Sequence, residues 1–147
     1  MPKQVPPDIF TFFNEIGIIE QLARNRAEKR FPGELKISQF SVLNHLVRVT
    51  PSSSPARLAS AFQVTRAAMT NTLKRLSDLR YIKVSPDPQD GRGKVVALTP
   101  AGRKAHAHAI STLEADFRNA AKVLGTGGFA EALPFLRAVR MYLDENR

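Results

Sequence analysis

The chain has 147 residues, of which 22 are Lys or Arg and 13 are Asp or Glu, giving a net charge of +9, and it contains no cysteine. One domain's length with this cationic excess points to an anionic partner, nucleic acid first, while the missing thiols exclude disulfides, thiol catalysis, thiol redox sensing and thiolate metal sites. No apolar run exceeds the four residues Val95 to Leu98, far below the roughly 20 that cross a bilayer, and the N-terminus has no signal-like apolar core, so a cytoplasmic protein with no membrane partner is expected.

After Pro2, Pro6 and Pro7, Asp8 is placed to cap a first helix whose apolar positions Phe12, Ile16, Ile19 and Ala23 recur at helical spacing and which ends before Phe31-Pro32-Gly33. Ser38 suits the cap of a second helix, with Phe40, Leu43, Leu46 and Val47 on one side. Thr50-Pro51 stops it, because the residue before proline avoids helical geometry. Ser52 to Ser54 read as a short loop. Ser54-Pro55 then supplies a cap and a first-turn proline for a short third helix through Leu58, Ala59 and Phe62, and Gln63-Val64 makes a turn.

Thr65 caps a fourth helix in which Met69, Leu73, Leu76 and Leu79 form an inward stripe, while Arg66, Thr70, Asn71, Lys74 and Asp78 point elsewhere. Tyr81 to Val84 reads as a strand, Pro86 to Gly93 as turn, and Lys94 to Leu98 as the returning strand of a hairpin. Thr99-Pro100 repeats the cap-and-proline signal and opens a long helix to about Leu124. Gly125-Thr126-Gly127-Gly128 breaks it before a final helix with Leu133, Leu136, Val139 and Leu143 on one face.

Charge is concentrated in the middle of this order: residues 1–56 carry +2, residues 57–104 carry +7, and residues 105–147 carry 0. A short helix, a tight turn, a helix with a polar outer face and then a hairpin is the order of a winged helix-turn-helix, whose second helix enters the major groove. The expected fold class is therefore mainly α with a small β-hairpin wing. Residues 37–104 form the DNA-binding lobe, and 1–36 and 105–147 supply dimerisation helices whose apolar stripes exceed what so small a lobe can cover. A two-fold homodimer would set two reading helices ~34 Å apart on double-stranded DNA, on a pseudo-palindromic site.

The side-chain chemistry of the fourth helix fits that role. Arg66 and Asn71 can make paired hydrogen bonds to guanine and adenine edges, Thr70 can meet a base or a thymine methyl, and Lys74 and Arg75 suit phosphates. Ser54, at a helix start, could offer backbone N–H groups to a phosphate. A guanidinium at Arg92 on the wing tip suits the negative potential of a narrow minor groove, and Asp90 is placed to orient it.

Several stretches also resemble the MarR family of bacterial transcription regulators: Leu58-Ala59, Val64-Thr65-Arg66, Leu73 and Leu76 with Arg75 between them, Asp87-Pro88-Gln89-Asp90-Gly91-Arg92-Gly93, and Leu98-Thr99-Pro100-Ala101-Gly102. The resemblance covers most of the chain, which it makes a single domain over 1–147. It implies that Asp90 shapes the wing tip, that Arg92 enters the minor groove, and that the protein represses by covering a promoter. Two positions depart from it: Arg80 stands where a glycine usually ends the recognition helix, and Val84 where an arginine commonly follows the first wing strand. The expected DNA-binding set is Ser54, Thr65, Arg66, Thr70, Asn71, Lys74, Arg75, Asp90, Arg92 and Lys94. Release of DNA by a small aromatic or anionic effector is implied by the family, with Phe13, Phe40, Leu43 and His45 as the expected pocket.

No enzymatic site emerges. His106 and His108 turn to different sides of one helix, His45 lacks an acidic neighbour, and no metal or cofactor is expected. Asp87 to Gly91 has Gln89 and Gly91 at calcium-ligand positions and Leu98 where a glutamate should close the loop. Gly91-Arg92-Gly93-Lys94 lacks phosphate-loop spacing, and no serine sits in a nucleophile elbow. The remaining alternative is an architectural protein that coats DNA by charge alone.

Overall fold

In a computed structural model, which describes residues 2–147, the chain divides into two compact units, one running to Thr112 and the other spanning Leu113–Arg147. The first helix, α1, spans Pro7–Glu28. It begins two residues earlier than an Asp8 cap would allow: Pro7, with its fixed φ, occupies the first helical position, and Asp8 lies in the first turn against the helix's positive end. Helix α2 spans Ile37–Arg48, so Ser38 is inside it and is not its cap. The free donors at this end are met by glutamate and glutamine instead. The Ile37 N–H donates to Glu28 Oε1 at 2.9 Å, and the Lys36 N–H donates to Gln39 Oε1 at 2.9 Å.

The serines expected as loop form a short strand, β1, Ser52–Ser53. Ser52 pairs with Ala97 and Ser53 with Val96, covering an edge of the wing that a two-stranded hairpin would leave bare. Helix α3, Pro55–Phe62, ends on Gln63 in the left-handed region at φ 52°, and helix α4 spans Arg66–Asp78. The wing strands are β2, Ile82–Pro86, and β3, Lys94–Leu98, and the antiparallel sheet has the order β1-β3-β2. Strand β2 starts later than expected because the Tyr81 N–H donates to the Leu76 carbonyl at 3.0 Å, closing α4 rather than opening a strand.

Leu35, Leu43, Leu46, Leu58, Leu76, Val42 and Val96 are the fully buried large side chains of the core. They come from the turn before α2 and from α2, α3, α4 and β3, so α4 is held by its Met69, Leu73 and Leu76 stripe while its other side stays open. Leu79, expected in that stripe, caps the helix and is only half-buried. Helix α5 spans Pro100–Leu124 and α6 spans Gly127–Glu145. The break between them is narrower than the glycine run suggested: Gly125, at φ 77°, turns the chain, and Gly127 and Gly128 are already helical. Pro134 lies inside α6.

Candidate nucleic-acid interface

Helix α4 starts on Thr65, whose Oγ1 accepts from the Ala68 N–H at 3.1 Å, and α3 starts on Ser54, whose Oγ accepts from the Arg57 N–H at 3.1 Å. Both hydroxyls thus satisfy helix ends. Beyond the cap, Arg66, Thr70, Asn71 and Lys74 are all exposed, and at helical spacing Asn71 and Lys74 fall opposite the buried stripe. The Thr70 hydroxyl donates to the Arg66 carbonyl at 2.8 Å, which leaves its oxygen free to accept but commits its proton. Lys74 Nζ lies 2.9 Å from Asp78 Oδ2, one turn further along.

Arg75, expected to meet phosphate, is hydrogen-bonded within the protein. Its Nη2 donates to the Gly33 carbonyl oxygen at 2.8 Å, 42 residues away in sequence. Nothing in the local pattern signals this bond, because it depends on where the turn after α1 lands.

The wing tip is shaped by its acids. Asp90 Oδ1 accepts from the Arg92 N–H at 3.1 Å, and the Asp90 carbonyl accepts from the Gly93 N–H at 2.9 Å. Asp87 Oδ1 accepts from the Gln89 N–H at 2.9 Å, and the Asp87 N–H donates to the Gly93 carbonyl at 3.0 Å. Asp90 therefore orients Arg92 through the backbone, and the guanidinium stays exposed. Lys94, on the returning strand, joins Pro55, Thr70, Lys74 and Val84 around a cleft of about 250 Å³, which brings the outer side of α4 alongside the wing.

The residues expected to bind an effector have other neighbours. Phe40 is stacked between Phe31, at a centroid distance of 4.8 Å, and His106, at 5.7 Å. Phe40 and Leu43 are core residues with 8% and 0% of their surface exposed. His45 meets the Phe62 ring edge at 5.5 Å, and the half-exposed Phe13 meets Phe12 at 5.6 Å. Sequence reasoning did not find the partner of His106: its Nε2 is 2.8 Å from Asn44 Oδ1. Burial, with Arg48 and Arg103 nearby, holds this imidazole below its ordinary pKa. Among the described residues no three His, Cys, Asp or Glu gather to hold a metal, and no helix is long and apolar enough to cross a membrane.

Residues 34–93 match the MarR family, whose members are transcriptional regulators rather than enzymes. Among solved structures, AbsC, a MarR family transcriptional regulator from Streptomyces coelicolor, is similar with a TM-score of 0.79 at 16% identity, over 97% of this chain and 99% of its own. The transcriptional regulator BldR from Sulfolobus solfataricus gives 0.76 at 21% identity, over 95% and 99%. A mutant MarR from E. coli, complexed with operator DNA, gives 0.73 at 22% identity, over 92% and 97%. At these identities the likeness is one of fold. No curated protein matches the chain in sequence.

Proposed function

We propose that this chain, whose residues 34–93 match the MarR family, is a sequence-specific DNA-binding transcriptional regulator, acting as a homodimer on a pseudo-palindromic operator. The observation that carries the proposal is the exposed row of Arg66, Thr70, Asn71 and Lys74 on α4, set beside Lys94 of a wing that ends in Arg92. Arg66 and Asn71 have the donor and acceptor pairs that distinguish base edges in the major groove, Lys74 and Lys94 neutralise phosphate, and Arg92 suits the minor groove. The α3 and α4 starts, capped by Ser54 and Thr65, present their remaining backbone N–H groups to the same anion.

Homodimerisation is supported by apolar side chains that each unit leaves in water. Phe10, Ile19 and Leu22 on α1 are 69%, 61% and 64% exposed, and Phe135 and Tyr142 on α6 are 61% and 65% exposed. Surfaces of this kind on a small chain are covered by a partner, and residues 1–36 and 105–147 are its place. Covering a promoter in this way represses transcription. A small aromatic or anionic effector releases the DNA only in so far as it binds the two spacings of the reading lobes unequally.

Selection of bound fragments from random duplex DNA tests the proposal. A regulator enriches inverted half-sites about one helical turn apart and prefers them over scrambled duplex by roughly a thousandfold or more. Equal affinity for random and selected duplexes would identify an architectural coater instead.

A further inference from the structure

Arg75 lies on the recognition helix among cations that face DNA, yet its guanidinium is bonded to the turn between α1 and α2. Nη2 donates to the Gly33 carbonyl oxygen at 2.8 Å. The same glycine also stands close against the end of the helix. Gly33 has φ +66°, and a Cβ placed there would stand 3.1 Å from Leu79 Cδ1 and Cδ2 and from the Tyr81 hydroxyl. The turn is therefore fitted to the C-terminal part of α4 at two points, one polar and one by close approach.

Arg75 lines a cleft of about 630 Å³ of mixed charge, shared with Glu28 and Glu34 and with Lys29 and Lys36, so the guanidinium is set among ion pairs of the turn and its flanking helices. Glu28 in turn accepts from the Ile37 N–H at 2.9 Å and lies 3.7 Å from Lys36 Nζ, which fixes the turn to the start of α2. The turn itself is anchored by Phe31 and Leu35, 5% and 0% exposed. It is a firm abutment for a fork of fixed geometry.

We propose that Arg75 is a positioning residue: its bond to Gly33 sets the angle at which α4 is presented to the major groove, and it makes no phosphate contact of its own. This rests on the DNA-reading function proposed above. A tilt of α4 misplaces Asn71 and Arg66 relative to base edges, whose hydrogen bonds tolerate little displacement, and spares contacts that depend only on charge.

The test uses the full-length protein, a duplex selected by the wild type from a random pool, and a scrambled duplex of equal length, at a temperature where circular dichroism shows each variant folded. Arg75→Met should lose about tenfold on the selected duplex while its affinity for the scrambled duplex and its salt slope stay unchanged. Gly33→Ala removes no charge and disturbs the same abutment, so it should show the same split even if Arg75→Met fails to fold. Where both single variants fold, the double variant should be little worse than either. A parallel fall on both duplexes with the salt slope reduced by about one would make Arg75 a phosphate ligand and overturn the proposal. Unchanged affinity on both duplexes would reduce it to a structural contact and overturn it equally. A wild type with no preference for any duplex would instead bring down the regulator function itself.

Discussion

The hydroxyl of Thr99 donates to the carbonyl oxygen of Arg80 at 2.7 Å, joining the end of α4 to the start of α5. Arg80 holds φ +62°, and the paired bonds Arg80 N–H to Ser77 O at 2.9 Å and Tyr81 N–H to Leu76 O at 3.0 Å close the helix as a Schellman end. Arginine thus adopts the backbone that a glycine would take here, at a steric cost of about 1 kcal/mol. Arg80→Gly should raise the free energy of unfolding in urea by about that amount. A loss of stability would mean that the arginine side chain contributes more than its backbone strain costs.

Gly102 gives a prediction whose sign separates two physical effects. It sits in the first turn of α5, where helix propensity alone would have alanine stabilise by about 1 kcal/mol. A Cβ there would lie 2.0 Å from the Tyr81 carbonyl oxygen, and that oxygen is held by the Thr99 N–H at 3.1 Å. Gly102→Ala should therefore destabilise by about 2 kcal/mol or more, measured by urea unfolding. A gain would show that the Tyr81 backbone yields without cost.

These two sites mark where the sequence was legible and where it was not. The caps at Ser54 and Thr65, the α4 stripe of Met69, Leu73 and Leu76 and the β3 strand follow from local rules of spacing and side-chain chemistry, and the structure has them. Ser38 failed as a cap because Glu28, nine residues earlier, reaches the Ile37 N–H, and Ser52–Ser53 became a strand because β3 was there to pair with. Arg75 and Gly33 meet across 42 residues, and His106 meets Asn44 across 62. Periodicity carries no information about such pairs, since they depend on how finished elements pack.

His106 gives a pH dependence with a definite sign. Burial, followed by the charges of Arg48 and Arg103, lowers its pKa below 6.5 in the folded protein. The unfolded chain then binds more protons wherever the two states differ, so stability rises with pH. Its share of the fold's stability is intact above about pH 6.5 and declines as the pH falls from there toward the folded-state pKa. Equilibrium unfolding from pH 8 downward should show this decline, and His106→Gln should flatten it. An undiminished slope in the variant would assign the effect to other groups.

Lys74 and Asp78 form an exposed pair at 2.9 Å, a kind that contributes about 0–1 kcal/mol to stability. Its effect on DNA binding should be larger. Lys74→Ala should weaken binding to every duplex alike and reduce the logarithmic salt slope by about one. Asp78→Asn should leave unfolding nearly unchanged and strengthen binding several-fold on all sequences by removing a carboxylate that competes with phosphate. A loss from Lys74→Ala confined to one sequence would make it a base contact.

Arg92 is positioned by Asp90 through its own N–H at 3.1 Å, so the two side chains can be separated experimentally. A guanidinium gains most where the minor groove is narrow and its negative potential high, as in A·T-rich tracts. Arg92→Ala should therefore cost about tenfold in affinity on sites with A·T-rich flanks and clearly less on G·C-rich flanks. Asp90→Ala removes a negative charge, which by charge alone would strengthen binding. If the turn matters, it should instead lose part of the same flank preference, because the backbone at Arg92 is no longer held. Equal losses on both kinds of flank in a fluorescence anisotropy titration would make Arg92 a generic surface cation, and retained flank preference in Asp90→Ala would mean the tip aims Arg92 without the aspartate.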